Sequence, residues 1–250
     1  MSESARDRLI FALDVGESLE EALELVDMLK DHVGVFKIGK EAFTRFGPSI
    51  VHETAGRGGK VFLDLKFHDI PNTVGRAVES ALTMPVSMLT VHASGGSAMM
   101  KEATASVRRF ADHGPAEPPL LLAVTVLTSL NDDDLKEIGF SLSTKDLVTR
   151  LASLAREAGI PGVVASPNDI AQIKKACGDD FIVVTPGIRL DDGETKDDQK
   201  RTLTPEQAIR EGADFIVVGR PIRTAADPAK TARGIVDMIS EAWESAASRH

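Results

Sequence analysis

The sequence predicts a single (β/α)8 barrel spanning residues 1–250, with eight parallel strands inside and helices outside. Three observations lead there. Eight short runs rich in Val, Ile, Leu and Phe alternate with longer amphipathic stretches. The runs are nearly continuous in hydrophobicity, as parallel strands covered on both faces require, and do not show the alternation of a half-solvated sheet. Eight such units in 250 residues also match the usual size of this barrel, about 250 residues. An open doubly wound sheet is the alternative, but no Gly-x-Gly-x-x-Gly follows the first run.

The strand runs, in order, are 9–15, 35–39, 61–67, 88–93, 120–127, 162–166, 181–187 and 215–219. The intervening helices are expected over 18–32, 40–54, 71–83, 96–112, 144–158, 168–176, 205–211 and 229–246. The first helix opens on Ser18 with Glu21 three residues later, the pattern of a capping box. Its Leu19, Leu23, Val26 and Leu29 share one face. Gly159, Gly178 and Gly212 follow helical stretches, where a left-handed terminal residue is preferred. The Pro-rich piece 113–120 is a short connection before the fifth strand, and no domain-scale linker interrupts the chain.

Composition narrows the function. The chain carries 29 basic and 38 acidic residues, a net charge of −9, which argues against binding nucleic acid or an anionic membrane. Aromatics are only 4%, too few for the stacking platforms of a single-strand binder. No apolar run reaches the length of a membrane span, and the N-terminus lacks the cationic start and apolar segment of a signal peptide, so a cytoplasmic location is expected. The lone Cys177 rules out an internal disulfide or a cysteine zinc cluster and reads as a packing residue.

In such a barrel, chemistry sits at the C-terminal ends of the strands. The polar residues expected there are Asp14, Lys37, Asp64, Lys66, His68, Asp69, His92, Thr125, Thr128, Ser129, Ser166, Asn168, Arg189, Gly219 and Arg220. The densest group is Asp64-Leu65-Lys66-Phe67-His68-Asp69. Strand alternation puts positions 64 and 66 on one side, so a carboxylate and an ammonium share a wall of the site. Opposite charge nearby favours a protonated lysine, which suits proton donation better than Schiff-base chemistry. The bland reading is a structural ion pair, but a buried pair is a weak device for stability. His92 reads equally as a structural residue or a ligand contact. No histidine pair has metal-ligand spacing, and no base accompanies Ser129 or Ser166 to form an acyl-transfer triad.

Strands seven and eight are where barrels often hold phosphate. The connection 186–207 is long and polar, as functional loops often are. It supplies Arg189 at its base and Gln199, Lys200 and Arg201 at its far end. Its acidic residues Asp191, Asp192, Glu194, Asp197 and Asp198 are expected to face water. Gly219 lets the backbone approach an oxyanion, a following helix start would add N–H donors, and Arg220 offers a forked, permanent charge.

Taken together, DLKFHDIPNTV (64–74), Asp14 in FALDV, Lys37 in FKIG, LTS (127–129), PGIR (186–189) and DQKR (198–201) closely resemble the orotidine 5′-phosphate decarboxylase family. The resemblance runs from the first strand to Arg220, with Leu190 standing where many relatives have proline. It implies conversion of orotidine 5′-phosphate to uridine 5′-phosphate and carbon dioxide, the last step of de novo pyrimidine biosynthesis, without metal or organic cofactor. It implies that Asp14 and Lys37 contact the ribose, and that Asp64 and Lys66 face the reacting carbon with Lys66 as proton donor. Thr128 and Ser129 would read the pyrimidine edge, and Arg189, Gln199, Gly219 and Arg220 would hold the phosphate. It also implies a homodimer in which Asp69, counted with the catalytic group, and Thr73 reach the partner's site. The rival readings are a magnesium-dependent sugar-phosphate decarboxylase or aldolase on the same barrel, and a non-catalytic nucleotide-binding relative.

Overall fold

The computed structural model describes residues 4–14, 18–113, 117–190 and 203–247. Its eight strands are β1 (Leu9–Ala12), β2 (Val35–Gly39), β3 (Val61–Phe67), β4 (Met88–His92), β5 (Leu120–Val124), β6 (Gly162–Val164), β7 (Ile182–Thr185) and β8 (Phe215–Val218). They form a closed parallel barrel in sequence order, with β8 returning to β1. The predicted fold is therefore the observed one.

The continuous hydrophobicity of the strands has two destinations. Inward-facing Ile10, Ala12, Val35, Phe62, Met88, Leu122, Val184, Phe215 and Val217 form one buried cluster in the lumen. Their alternates, among them Leu9, Phe11, Phe36, Leu63, Leu89, Ala123 and Val183, belong to a second cluster shared with the outer helices. Both strand faces are dry, which is why the sequence shows runs and not alternation. Further along the inward positions the apolar plug gives way to Lys37, Asp64 and Thr90, so the lumen is greasy below and charged above.

The helices follow the expected register with three differences. Ser18 Oγ accepts from the Glu21 N–H at 3.1 Å, starting Leu19–Leu29. The helix expected over 40–54 is two, Lys40–Phe46 and Ser49–Gly56, divided at Gly47-Pro48. Gly47 has φ 60, and a proline restricts the residue before it, so one continuous helix is excluded. Asp132–Glu137 is a helix the periodicity did not suggest; Asn131 caps it by accepting from the Asp133 and Asp134 N–H groups, and its first turn is acidic. Arg220–Arg223 forms a single helical turn after β8. Cys177 is buried, as expected, and burial pushes its thiol up.

The face at the N-terminal ends of the strands is tied by Arg8. Its guanidinium donates to the Asp214 carbonyl at 2.9 Å and lies 3.5 Å from the centre of the Trp243 ring. This joins the short turn before β1 to the last helix, Pro228–Ala247.

Candidate active site

A cavity of about 960 Å³ opens at the C-terminal ends of the strands, within the usual range for small-ligand sites. Asp14, Lys37, Asp64, Lys66, Thr128, Arg189, Gly219 and Arg220 all line it. These eight residues come from six strand ends or their following connections, so only barrel closure brings them together. Asp69, Thr73 and Ser129 are exposed and do not line the cavity of their own chain. Gln199, with Lys200, Arg201 and the acidic residues 191–198, lies outside the described residues.

The floor of the cavity is an alternating chain of charge. Lys37 Nζ lies 3.1 Å from Asp14 Oδ1 and 3.8 Å from Asp64 Oδ2. Asp64 Oδ2 in turn lies 2.6 Å from Lys66 Nζ. Asp64 is only 6% exposed. Burial pushes its carboxyl up, but Lys66 and Lys37, with hydrogen bonds from Lys66 and Thr90, outweigh burial and hold it below the usual carboxylate range. It is therefore a carboxylate at neutral pH. Gly39 keeps room for this chain, because a Cβ there would sit 3.0 Å from Asp14 Oδ1 and 3.2 Å from Lys37 Nζ.

Asp64 and Lys66 meet as expected, but simple strand alternation is not what brings them together. Leu63 pairs with Leu89, and the next pair is Phe67 with Val91. Three residues of β3, Asp64, Leu65 and Lys66, thus stand opposite the single residue Thr90. The surplus chain is taken up at Lys66, which has φ 53 and is the one non-glycine residue with positive φ among the described residues. Such backbone costs an L-residue about 1–2 kcal/mol, and it is the kind of strain that collects at functional sites.

The residues expected to hold a phosphate also converge, as far as they are described: Arg189, Gly219 and Arg220 share the cavity wall. Arg189 N–H donates to the Leu203 carbonyl at 3.0 Å, beside an Ile188–Leu203 bridge, so the described ends of the long connection are held together. A Cβ at Gly219 would sit 3.2 Å from that of Ala12, so glycine here permits close β1–β8 packing at the cavity rim. Arg223 lines the same cavity and donates to the Asp14 carbonyl. Sequence reasoning missed it, although it falls three residues after Arg220, on the same side of a helical turn.

Several other polar strand-end residues serve the frame. Thr125 Oγ1 donates to the Val164 carbonyl at 3.1 Å. His92 is half-buried and its ring centre lies 5.3 Å from that of His68. Burial, then the neighbouring His68, Lys40 and Lys66, push the His92 imidazole down to about 4, against the opposing pull of Asp64. It is neutral at pH 7.

Fold and site together define a (β/α)8 barrel with a charged cavity at the C-terminal ends of its strands, floored by an ammonium paired with a buried carboxylate. The orotidine 5′-phosphate decarboxylase / HUMPS family pattern matches residues 7–235. The chain belongs to that family. It is 54% identical over 231 residues to orotidine 5′-phosphate decarboxylase of Syntrophus aciditrophicus, covering 92% of each chain. It is 51% identical to the protein of that name from Syntrophotalea carbinolica, over 98% of this chain and 99% of the other. Among solved structures it is similar to orotidine 5′-phosphate decarboxylase from Lactobacillus acidophilus, with a TM-score of 0.79 and 35% identity over 94% of this chain and 98% of the other.

Proposed function

We propose that this chain converts orotidine 5′-phosphate to uridine 5′-phosphate and carbon dioxide in pyrimidine biosynthesis, with Lys66 supplying the proton that replaces the carboxylate. The observation that carries the residue assignment is the 2.6 Å contact between Lys66 Nζ and the buried Asp64 carboxylate on the cavity floor. The bond from C6 of the pyrimidine to its carboxylate breaks, and the electron pair stays on C6 in the ring plane, where the ring delocalises it poorly. A fixed ammonium beside C6 stabilises that charge as it forms. Transfer of an ammonium proton to C6 completes the product, and solvent restores the lysine.

Asp64 has two effects. It fixes the position of the Lys66 ammonium through the 2.6 Å contact, and it sets a carboxylate beside the departing one, which relaxes as neutral carbon dioxide leaves. Asp14 and Lys37 are assigned to the ribose, Thr128 and Ser129 to the pyrimidine edge, and Arg189, Gln199, Gly219 and Arg220 to the phosphate. For all but Ser129 and Gln199, the support is their shared lining of one cavity. Binding energy from a phosphate far from C6 serves to orient the reacting ring.

We assign Asp69 and Thr73 to the site of a second copy of the chain. Both are exposed and stand apart from their own cavity, and the adjacent Ile70 is 66% exposed, which suits an element covered by a partner. A cytoplasmic setting fits a chain whose single cysteine cannot close an internal disulfide; among the described residues no helix is long and apolar enough to cross a membrane.

The test is the ultraviolet change of orotidine 5′-phosphate on adding purified protein, with and without EDTA. Chelator-resistant conversion to uridine 5′-phosphate is expected. Activity lost in EDTA would favour a magnesium-dependent relative. Tight product binding without conversion would favour a nucleotide-binding protein.

A further inference from the structure

We propose that Thr90 is the positioning residue of the proton-delivering pair, one hydroxyl that fixes both the Lys66 backbone and the Asp64 carboxylate. This rests on the roles given above to Lys66 and Asp64. Thr90 is fully buried on the inward face of β4. Its Oγ1 accepts from the Lys66 backbone N–H at 2.9 Å and lies 3.0 Å from Asp64 Oδ1. A backbone N–H can only donate, so the Thr90 hydroxyl hydrogen is left for the carboxylate. The proton order of the link is thus fixed: Lys66 N–H to Thr90 oxygen, Thr90 hydrogen to Asp64.

The location explains the need. Opposite Thr90, three residues of β3 occupy the space of one, and the ladder cannot hold Lys66 by ordinary strand pairing. The side-chain oxygen stands in for a strand carbonyl and stabilises the left-handed turn at Lys66 (φ 53). The same contact turns the carboxylate so that its other oxygen, Oδ2, faces Lys66 Nζ at 2.6 Å and Lys37 Nζ at 3.8 Å. Lacking the hydroxyl, Asp64 is free to rotate and the bulge to reopen, which moves the ammonium relative to C6. Displacements of this size degrade chemistry more than binding.

The experiment compares Thr90→Val, of nearly equal shape without a hydroxyl, with Thr90→Ser, which keeps it. Wild type is first shown to release carbon dioxide from orotidine 5′-phosphate. Thr90→Val should lower kcat about 10–100-fold, the worth of a hydrogen bond to a charged group, with KM and uridine 5′-phosphate affinity nearly unchanged. Thr90→Ser should restore most of kcat. If Thr90→Val does not fold, Thr90→Cys, with its weak donor and acceptor, is read by the same kcat criterion. A hydroxyl-free variant with wild-type kcat overturns the proposal. So does a Ser variant as impaired as Val, which would assign the effect to the methyl group, or a rise in KM at constant kcat. Inactive wild type would overturn the proposed function itself; active wild type with an unaffected Val variant would overturn the role of Thr90 alone.

Discussion

Replacing Lys66 by alanine and by glycine separates what its side chain does from what its backbone costs. Both variants remove the ammonium 2.6 Å from Asp64 Oδ2 and leave the buried carboxylate with Thr90 and the more distant Lys37. Losing general-acid help costs about 10²–10⁴-fold, and losing a charge aimed at the developing anion costs about 10²–10³-fold. One ammonium provides both, so turnover should fall by roughly 10⁴-fold or more in either variant. Uridine 5′-phosphate affinity should largely persist through the phosphate contacts. The stabilities should differ in an unusual direction. At φ 53 alanine keeps a left-handed penalty of about 1–2 kcal/mol. Glycine escapes it at an entropic cost of about 0.5–1 kcal/mol. Lys66→Gly should therefore be the more stable of the two by about 0.5–1 kcal/mol, against the order found in an ordinary strand. Urea unfolding reads this difference, and the ultraviolet assay reads turnover. Turnover near wild type refutes the acid assignment. Alanine more stable than glycine refutes the bulged backbone.

Three further outcomes are expected. Arg220→Ala should lose about 100-fold in kcat/KM for the nucleotide, the upper worth of a charged hydrogen bond, and little for the phosphate-free nucleoside; equal losses in paired steady-state assays would remove its phosphate role. Gly39→Ala drives a methyl against Asp14 and Lys37 and should raise the nucleotide KM about tenfold, or about 1.4 kcal/mol, with a smaller effect on kcat; a fall in kcat alone would place the Asp14–Lys37 pair outside substrate binding. His92 titrates near 4 in the fold against 6.5 ordinarily, so the unfolded chain takes up the proton first. Its contribution is complete above pH 6.5 and is lost as pH falls towards 4, by about 1–2 kcal/mol after solvent screening of a half-buried ring. His92→Gln should flatten unfolding free energy across that window, and an unchanged slope would count against the shift.

The barrel was legible because parallel strands dry on both faces write themselves as apolar runs. The bounds of 35–39 and 61–67 match β2 and β3 to the residue. The runs at 120–127 and 181–187 overshoot because Val126, Leu127, Pro186 and Gly187 continue past the ladder as cavity wall, so apolar character there reports burial against a ligand space, not strand. Gly47-Pro48 signalled the helix break, but the flanking periodicity masked it. Most of the site was readable because strand ends in this barrel converge by topology. Thr90 and the left-handed Lys66 were not, since the bulge depends on how β3 is matched against β4, a nonlocal relation that no spacing within 64–69 encodes. Alternation predicted the right neighbours by a route the backbone does not follow.

The Arg8 clamp has a practical consequence. By seating Arg8 on Trp243 and the Asp214 carbonyl, it brings the first turn and the last helix together on the side away from the cavity. A fusion partner or surface tether attached at the turn Ala5–Arg8 or on the last helix beside Trp243 therefore hangs clear of substrate traffic. A short peptide joining the two would give a circular permutant whose junction lies at the clamp, so that new termini can be cut into an outer connection while the catalytic rim keeps its original chain path.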